Sequence, residues 1–174
     1  MKILVGLGHP AHFHLFKNLI FYFQENSIDF KIVIKDKDVL ANLLQGYKLE
    51  YYLLKNIKPS SSITGKAKNI FNSSLELIKD LKNFEPTLYI GCLSQLTYAG
   101  FFNRIPCLFF AEDDFKITYL QGLSVYPFVS RIIAPDVTSV GAFEFKRTSY
   151  NGYHELAYLH PNHFVPSKSI VEKY

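Results

Sequence analysis

The chain has 174 residues, 48% hydrophobic and 20% charged, with 16 Phe, 12 Tyr and no Trp. This describes one packed domain, or one and the start of another, with an aromatic-rich core, and excludes general disorder. A formal charge of +4 suits an anionic substrate or membrane surface and is too small to argue for nucleic acid, which is not expected as a partner.

Ile3, Leu4 and Val5 open the chain as a buried strand. Gly6 and Gly8 allow a tight turn, and Pro10 suits a first helical turn. Phe16, Leu19, Ile20 and Phe23 fall at helical spacing and predict a buried stripe on a helix over 11–25. A strand over 30–34 follows. Asp36-Lys-Asp38 is expected to cap a helix over 39–45, with Gly46 as its stop. A strand over 50–54 leads to a Ser- and Lys-rich loop, 57–68. The next helix spans 67–83, with Ala67, Ile70, Phe71, Ser74, Leu75, Ile78 and Leu81 on one face and Pro86 beyond its end. Then come a strand over 87–91, a helix over 94–103, a strand over 107–111 and a helix over 115–123. Strands over 131–134 and 147–150 close the pattern.

Strands alternating with helices predict an α/β fold, a doubly wound and mainly parallel sheet. Ligands bind such sheets beyond the C-terminal strand ends, which here carry residues 6–14, 91–95 and 112–114. Residues 1–159 read as one domain. Residues 160–174, starting His160-Pro-Asn-His-Phe-Val-Pro166, read as a linker toward an absent C-terminal domain. Cys92 and Cys107 lie in apolar runs and read as buried thiols rather than a disulfide. No signal peptide is visible, and the longest apolar runs fall far short of the about 20 residues that span a bilayer. A cytoplasmic location is expected.

Several groups are candidates for chemistry, each with a structural alternative. Gly6 and Gly8 would let a phosphate or oxyanion approach the helix N–H groups, or serve the turn alone. His9, His12 and His14 cluster on that turn. A metal site is weak there, because residues two and three apart diverge on a helix and no Cys joins them; no metal is inferred. One of them would act as general base or phosphate contact, since a helix N-terminus lowers a histidine pKa; otherwise they cap or pack. His9 is the first choice and His12 the second. Lys17 would reach an anionic group or stay solvated. Glu112, Asp113 and Asp114 would hold ligand hydroxyls, orient a histidine or bind Mg²⁺, or else cap the next helix, and no metal is inferred from them. Ser94 and Gln95 sit at another strand end, where Ser94 is also a good N-cap. Gly152, His154 and Glu155 would contact ligand or fix a hinge. The basic loop 55–68, with Tyr51 and Tyr52 nearby, would face lipid head groups or an acceptor diphosphate, or form a solvated surface.

Two segments carry a resemblance. The opening Met1-Lys-Ile-Leu-Val-Gly-Leu-Gly8-His9-Pro10-Ala11-His12 with Phe16-Lys17-Asn18-Leu19, and Tyr150-Asn-Gly152-Tyr153-His154-Glu155-Leu-Ala-Tyr158-Leu-His160-Pro161-Asn162, resemble the prokaryotic family called domain of unknown function 354. Asp36-Lys-Asp38-Val-Leu, after the second strand, also resembles it. That family looks like two-domain GT-B glycosyltransferases and is similar to sugar-nucleotide epimerases. The resemblance implies a Rossmann-like N-terminal, acceptor-side lobe. It implies a nucleotide sugar as substrate with no separate cofactor, and a sugar or lipid-linked acceptor. It points to surface polysaccharide or glycolipid synthesis, with peripheral contact at the inner membrane face. Catalysis would need the second domain, and this lobe alone would be inactive. Sugar-nucleotide epimerisation, or a truncated binding module without turnover, are the alternatives.

Overall fold

The computed structural model describes residues 1–35, 39–54, 62–162 and 164–172. The expected cap at 36–38, residues 55–61 of the basic loop and His163 of the expected linker lie outside them. Seven strands form one parallel sheet in the order β3-β2-β1-β4-β5-β6-β7. They are β1 (Lys2–Leu7), β2 (Asp29–Ile34), β3 (Tyr51–Leu53), β4 (Leu88–Gly91), β5 (Cys107–Phe110), β6 (Arg131–Pro135) and β7 (Arg147–Tyr150). The helices are α1 (Pro10–Glu25), α2 (Val39–Gly46), α3 (Ile63–Asp80), α4 (Ser94–Asn103), α5 (Tyr119–Val125), α6 (Leu156–Leu159) and α7 (Lys168–Val171). Strand order reverses between β1 and β4, which opens a crevice at their C-terminal ends.

The alternation of β1 divides the core. Ile3, Val5 and Leu7 join Phe13, Phe16, Ile20 and Phe23 of α1 in one layer. Leu4 joins Leu93, Leu96 and Tyr126 in the other. Each such side chain contributes about 2 kcal/mol on burial. Phe13 replaces the expected Leu19 on the buried stripe of α1, and Leu19 is exposed. Two glycines permit the close approach at the crevice. A Cβ on Gly6 would lie 2.9 Å from Leu93 and Leu96, so Gly6 is where α4 packs on the sheet. Its register partner is Gly91, at φ +135°.

Four local expectations change. Gly46 does not terminate α2 in the left-handed region; Lys48 does, at φ 55°, with Leu49 N–H donating to Leu44 O at 3.0 Å. Ser94 is not a cap: the flanking residue is Leu93, with no side-chain bond, and Ser94 lies inside α4. The helix expected at 115 starts at Tyr119. Tertiary burial displaces it, because Phe115 N–H donates to Ser139 O at 2.8 Å and its ring lies against Gly122 and Gly141. Finally, Phe71 and Leu75 on α3 are 47% and 44% exposed rather than core. Among the described residues no helix is long and apolar enough to cross a membrane. Both cysteines are free, and burial pushes the Cys107 thiol up to about 11.

Lys146 ties the corner before β6. Its Nζ donates to the carbonyls of Tyr126, Pro127 and Val129 at 3.2, 2.6 and 2.9 Å. Lys146→Met removes all three donors at once. It is expected to lower stability by about 2 kcal/mol, given the strength of charge-assisted hydrogen bonds, measured as a shift in urea midpoint.

Candidate functional site

A cavity of about 160 Å³ lies over the C-terminal ends of β4 and β5, bordered by the first turn of α1 and the segment after β7. Its polar lining is His12, Cys92, Glu112, Asp113, Thr118, Gln121 and His154, with Phe110 and Tyr126 among its walls.

His12 comes from α1. Gly8 N–H donates to its Nδ1 at 3.0 Å. In the neutral ring the proton therefore sits on Nε2, which leaves His12 a hydrogen-bond donor toward the cavity. Burial is the main reason its pKa is pushed down to about 4, with His9, His154 and Lys35 adding like-charge repulsion. Protonating Nδ1 would also break the Gly8 bond. Gly8 thus contributes its N–H here, and a Cβ on it would make only ordinary contacts of 3.6 Å or more.

His154 follows β7 and is 5% exposed. Its Nδ1 lies 3.1 Å from Glu112 Oε2. Burial lowers its pKa and wins over Glu112, which raises it. A neutral His154 donates Nδ1–H to the carboxylate, and its Nε2 lone pair is left buried with no partner among the described residues. The ring stacks on Tyr150 at 6.2 Å and 7°, and Phe110 lies at 6.2 Å. The cavity therefore joins His12, whose Nδ1 is held by Gly8, to a carboxylate-oriented histidine whose second nitrogen is buried and unpaired among the described residues. This is the arrangement of a positioned general base.

The remaining candidates lie as follows. His9 is exposed and caps α1, its Nδ1 accepting from Ala11 N–H at 3.2 Å. His14 packs on Tyr158 of α6 at 5.4 Å, outside the cavity. Lys17 Nζ sits 5.9 Å over the Tyr47 ring. Asp113 lines the cavity, whereas Asp114 accepts from Ser139 N–H at 2.8 Å and holds that loop. Gln95 is buried in α4 and Ser94 faces a different concavity. Gly152 and Glu155 flank His154, with Glu155 exposed. Sequence reasoning did not single out Cys92, Gln121 or Tyr150. Cys92 had a signal, since it directly follows Gly91 at a strand end. Tyr150 opens the second segment that carries the resemblance, and Gln121 had no signal.

No family model and no curated protein sequence matches the chain. Solved structures do. The S. aureus MnaA–UDP co-structure superimposes with a TM-score of 0.68 at 13% identity, over 98% of this chain and 50% of that one. Acinetobacter baumannii MurG gives 0.66 at 11%, over 87% and 45%. The UDP-GlcNAc 2-epimerase from Neisseria meningitidis bound to UDP-GlcNAc gives 0.63 at 20%, over 78% and 40%. The chain spans half or less of each of these proteins. At these identities the likeness is one of fold: a Rossmann-like parallel α/β sheet matching one lobe of the GT-B architecture.

Proposed function

We propose that this chain is the acceptor-side lobe of a glycosyltransferase-like enzyme acting on a UDP-sugar. Residues 1–159 form the lobe, and 160–174 lead toward a second lobe that holds most of the donor. The observation that carries this reading is the Glu112–His154 pair in the lining of the same cavity as His12, with Nε2 of His154 buried and unpaired among the described residues. Two structural neighbours hold UDP-GlcNAc or UDP, which supports the donor class.

In this reading His154 Nε2 takes the acceptor hydroxyl proton. The acceptor oxygen bonds to the anomeric carbon as the bond from that carbon to UDP breaks, and the electron pair leaves with UDP. Glu112 steadies the imidazolium that forms. His12 Nε2–H donates to the acceptor oxygen or a phosphate, and Asp113 accepts from sugar hydroxyls. The sequence resemblance to domain of unknown function 354 is the ground for proposing a role in surface polysaccharide or glycolipid synthesis at the inner membrane face.

The test is a release assay on the enzyme with both lobes. UDP formed from a UDP-sugar only when a sugar or lipid-linked acceptor is present is the expected result. Conversion of UDP-GlcNAc to its C2 epimer without acceptor would overturn it.

A further inference from the structure

A larger concavity of about 760 Å³ adjoins the first, between α3, α4 and α5. Ile70 and Phe71 of α3 form one side, Tyr98 of α4 the floor, and Leu120 and Leu123 of α5 the other side. Gln121 lines both concavities. The volume is within the range of about 300–1,000 Å³ typical of small-molecule sites.

Its chemistry differs from that of the cavity. Among the described residues its lining contains no Asp, Glu, Lys, Arg or His. Two of its hydroxyls are turned onto the protein: Tyr98 OH donates to Ser124 O at 2.6 Å, and Ser124 Oγ donates to Gln121 O at 3.1 Å. Beside Ser94 and the Gln121 amide, what remains for an occupant is apolar surface, and Phe71, Leu120 and Leu123 are 47%, 67% and 44% exposed. Solvent-exposed apolar side chains converging on one concave face mark a binding site rather than a core. A sugar or a phosphate there would lose water and find only Ser94 and Gln121 side chains to bond, with no charged group. Just past Gln121 the lining changes to Glu112, Asp113 and His154.

We propose that this groove holds the hydrocarbon chain of an amphipathic acceptor, whose hydroxyl end passes Gln121 to reach Nε2 of His154. The inference rests on the transfer reading above and names its acceptor class. Continuity with the candidate site argues for one ligand spanning both concavities. A concave groove that ends at charged groups fits a single chain with a polar head better than a flat membrane surface.

The experiment is titration of the full chain with hexyl, heptyl and octyl β-glucosides below their micelle concentrations, followed by calorimetry. Affinity should rise about fourfold per added methylene, the increment expected for a buried CH₂. Leu120→Asp and Leu123→Asp change side chains that are already exposed, and each should weaken octyl glucoside binding at least tenfold with the thermal midpoint retained. Affinity independent of chain length, or unchanged in both variants, overturns the proposal. So does a dimer in sedimentation velocity that Leu123→Asp dissolves, because a second copy would then be the occupant. Binding to anionic vesicles without binding of monomeric glucosides overturns it as well. The titration needs no donor and no turnover. Chain-length dependence without transfer activity leaves the groove assignment standing and removes the transfer reading; transfer without chain-length dependence does the reverse.

Discussion

His154→Asn is expected to lower kcat for acceptor-dependent UDP release by about a hundredfold or more, the usual cost of removing a positioned general base. The folded state should survive. The side chain is nearly buried between Tyr150 and Phe110, and its loss costs on the order of 1 kcal/mol, a typical value for a single substitution. KM for the UDP-sugar should stay within about threefold, because His154 acts on the acceptor; a mutation that removes an interaction made only in the transition state lowers kcat alone. An unchanged kcat would take His154 out of the mechanism.

The pH profile gives this assignment a sign. A histidine base works when neutral, so the rate falls on the acid side through its pKa. Burial holds that pKa below the ordinary 6.5, and Glu112 opposes the shift. Glu112→Gln keeps an acceptor oxygen near Nδ1 and removes the charge that raises the pKa. The acid limb should therefore move to lower pH still, while kcat falls because the imidazolium loses its counter-charge. A limb that stays in place would mean that Glu112 does not act through His154. His12, already neutral down to about pH 4, adds no limb in the working range.

The order and type of the elements were legible because the apolar periods are local. The bounds of α4 came from a short stretch, 94–103, between a glycine-ended strand and Pro106, and they match the structure. The start of α5 was not legible. Phe115 looks helical by itself, and what holds it out of the helix is Ser139 and two glycines, Gly122 and Gly141, that arrive later in the chain. The exposed side of α3 misled for the same reason: an apolar stripe says that a surface wants cover, not whether this chain supplies it. In the site, Glu112 and His154 were each visible as candidates, but 42 residues separate them. Their pairing depends on the segment after β7 folding back over β5. Sequence reasoning puts His9 first and His12 second among the three histidines near the turn, but spacing does not show whose N–H each ring nitrogen takes. That choice decides their roles: Ala11 for His9, leaving a cap, and Gly8 for His12, leaving a donor in the cavity. Gly6, read as a place for ligand approach, is occupied by Leu93 and Leu96.

The other large effect is on stability, at the same crevice. Gly91→Ala is expected to cost about 4 kcal/mol or more, beyond the 1–3 kcal/mol of backbone strain alone. Gly91 has φ +135°, and a Cβ there would lie 2.2 Å from Gly6 O and 2.8 Å from Gly6 N. Neither atom can yield cheaply. Gly6 is paired to β2 and β4 at once, and Cys92 N–H donates to Gly6 O at 3.1 Å. Relief would require separating β1 from β4, the two central strands, under a helix that already packs against Gly6. Against a total stability of about 5–15 kcal/mol, most of the variant should be lost to aggregation, and the soluble fraction should unfold at much lower urea. Gly46→Ala is the internal comparison. A Cβ there meets nothing within 4 Å, at the end of α2, so it should stabilise by about 0.5–1 kcal/mol through helix propensity. The two glycines thus separate backbone need from tolerance within one chain. If Gly91→Ala unfolded within about 1 kcal/mol of the parent, the Gly6–Gly91 register would be wrong. The floor of the cavity, which places Cys92 beside Glu112 and His154, would be wrong with it.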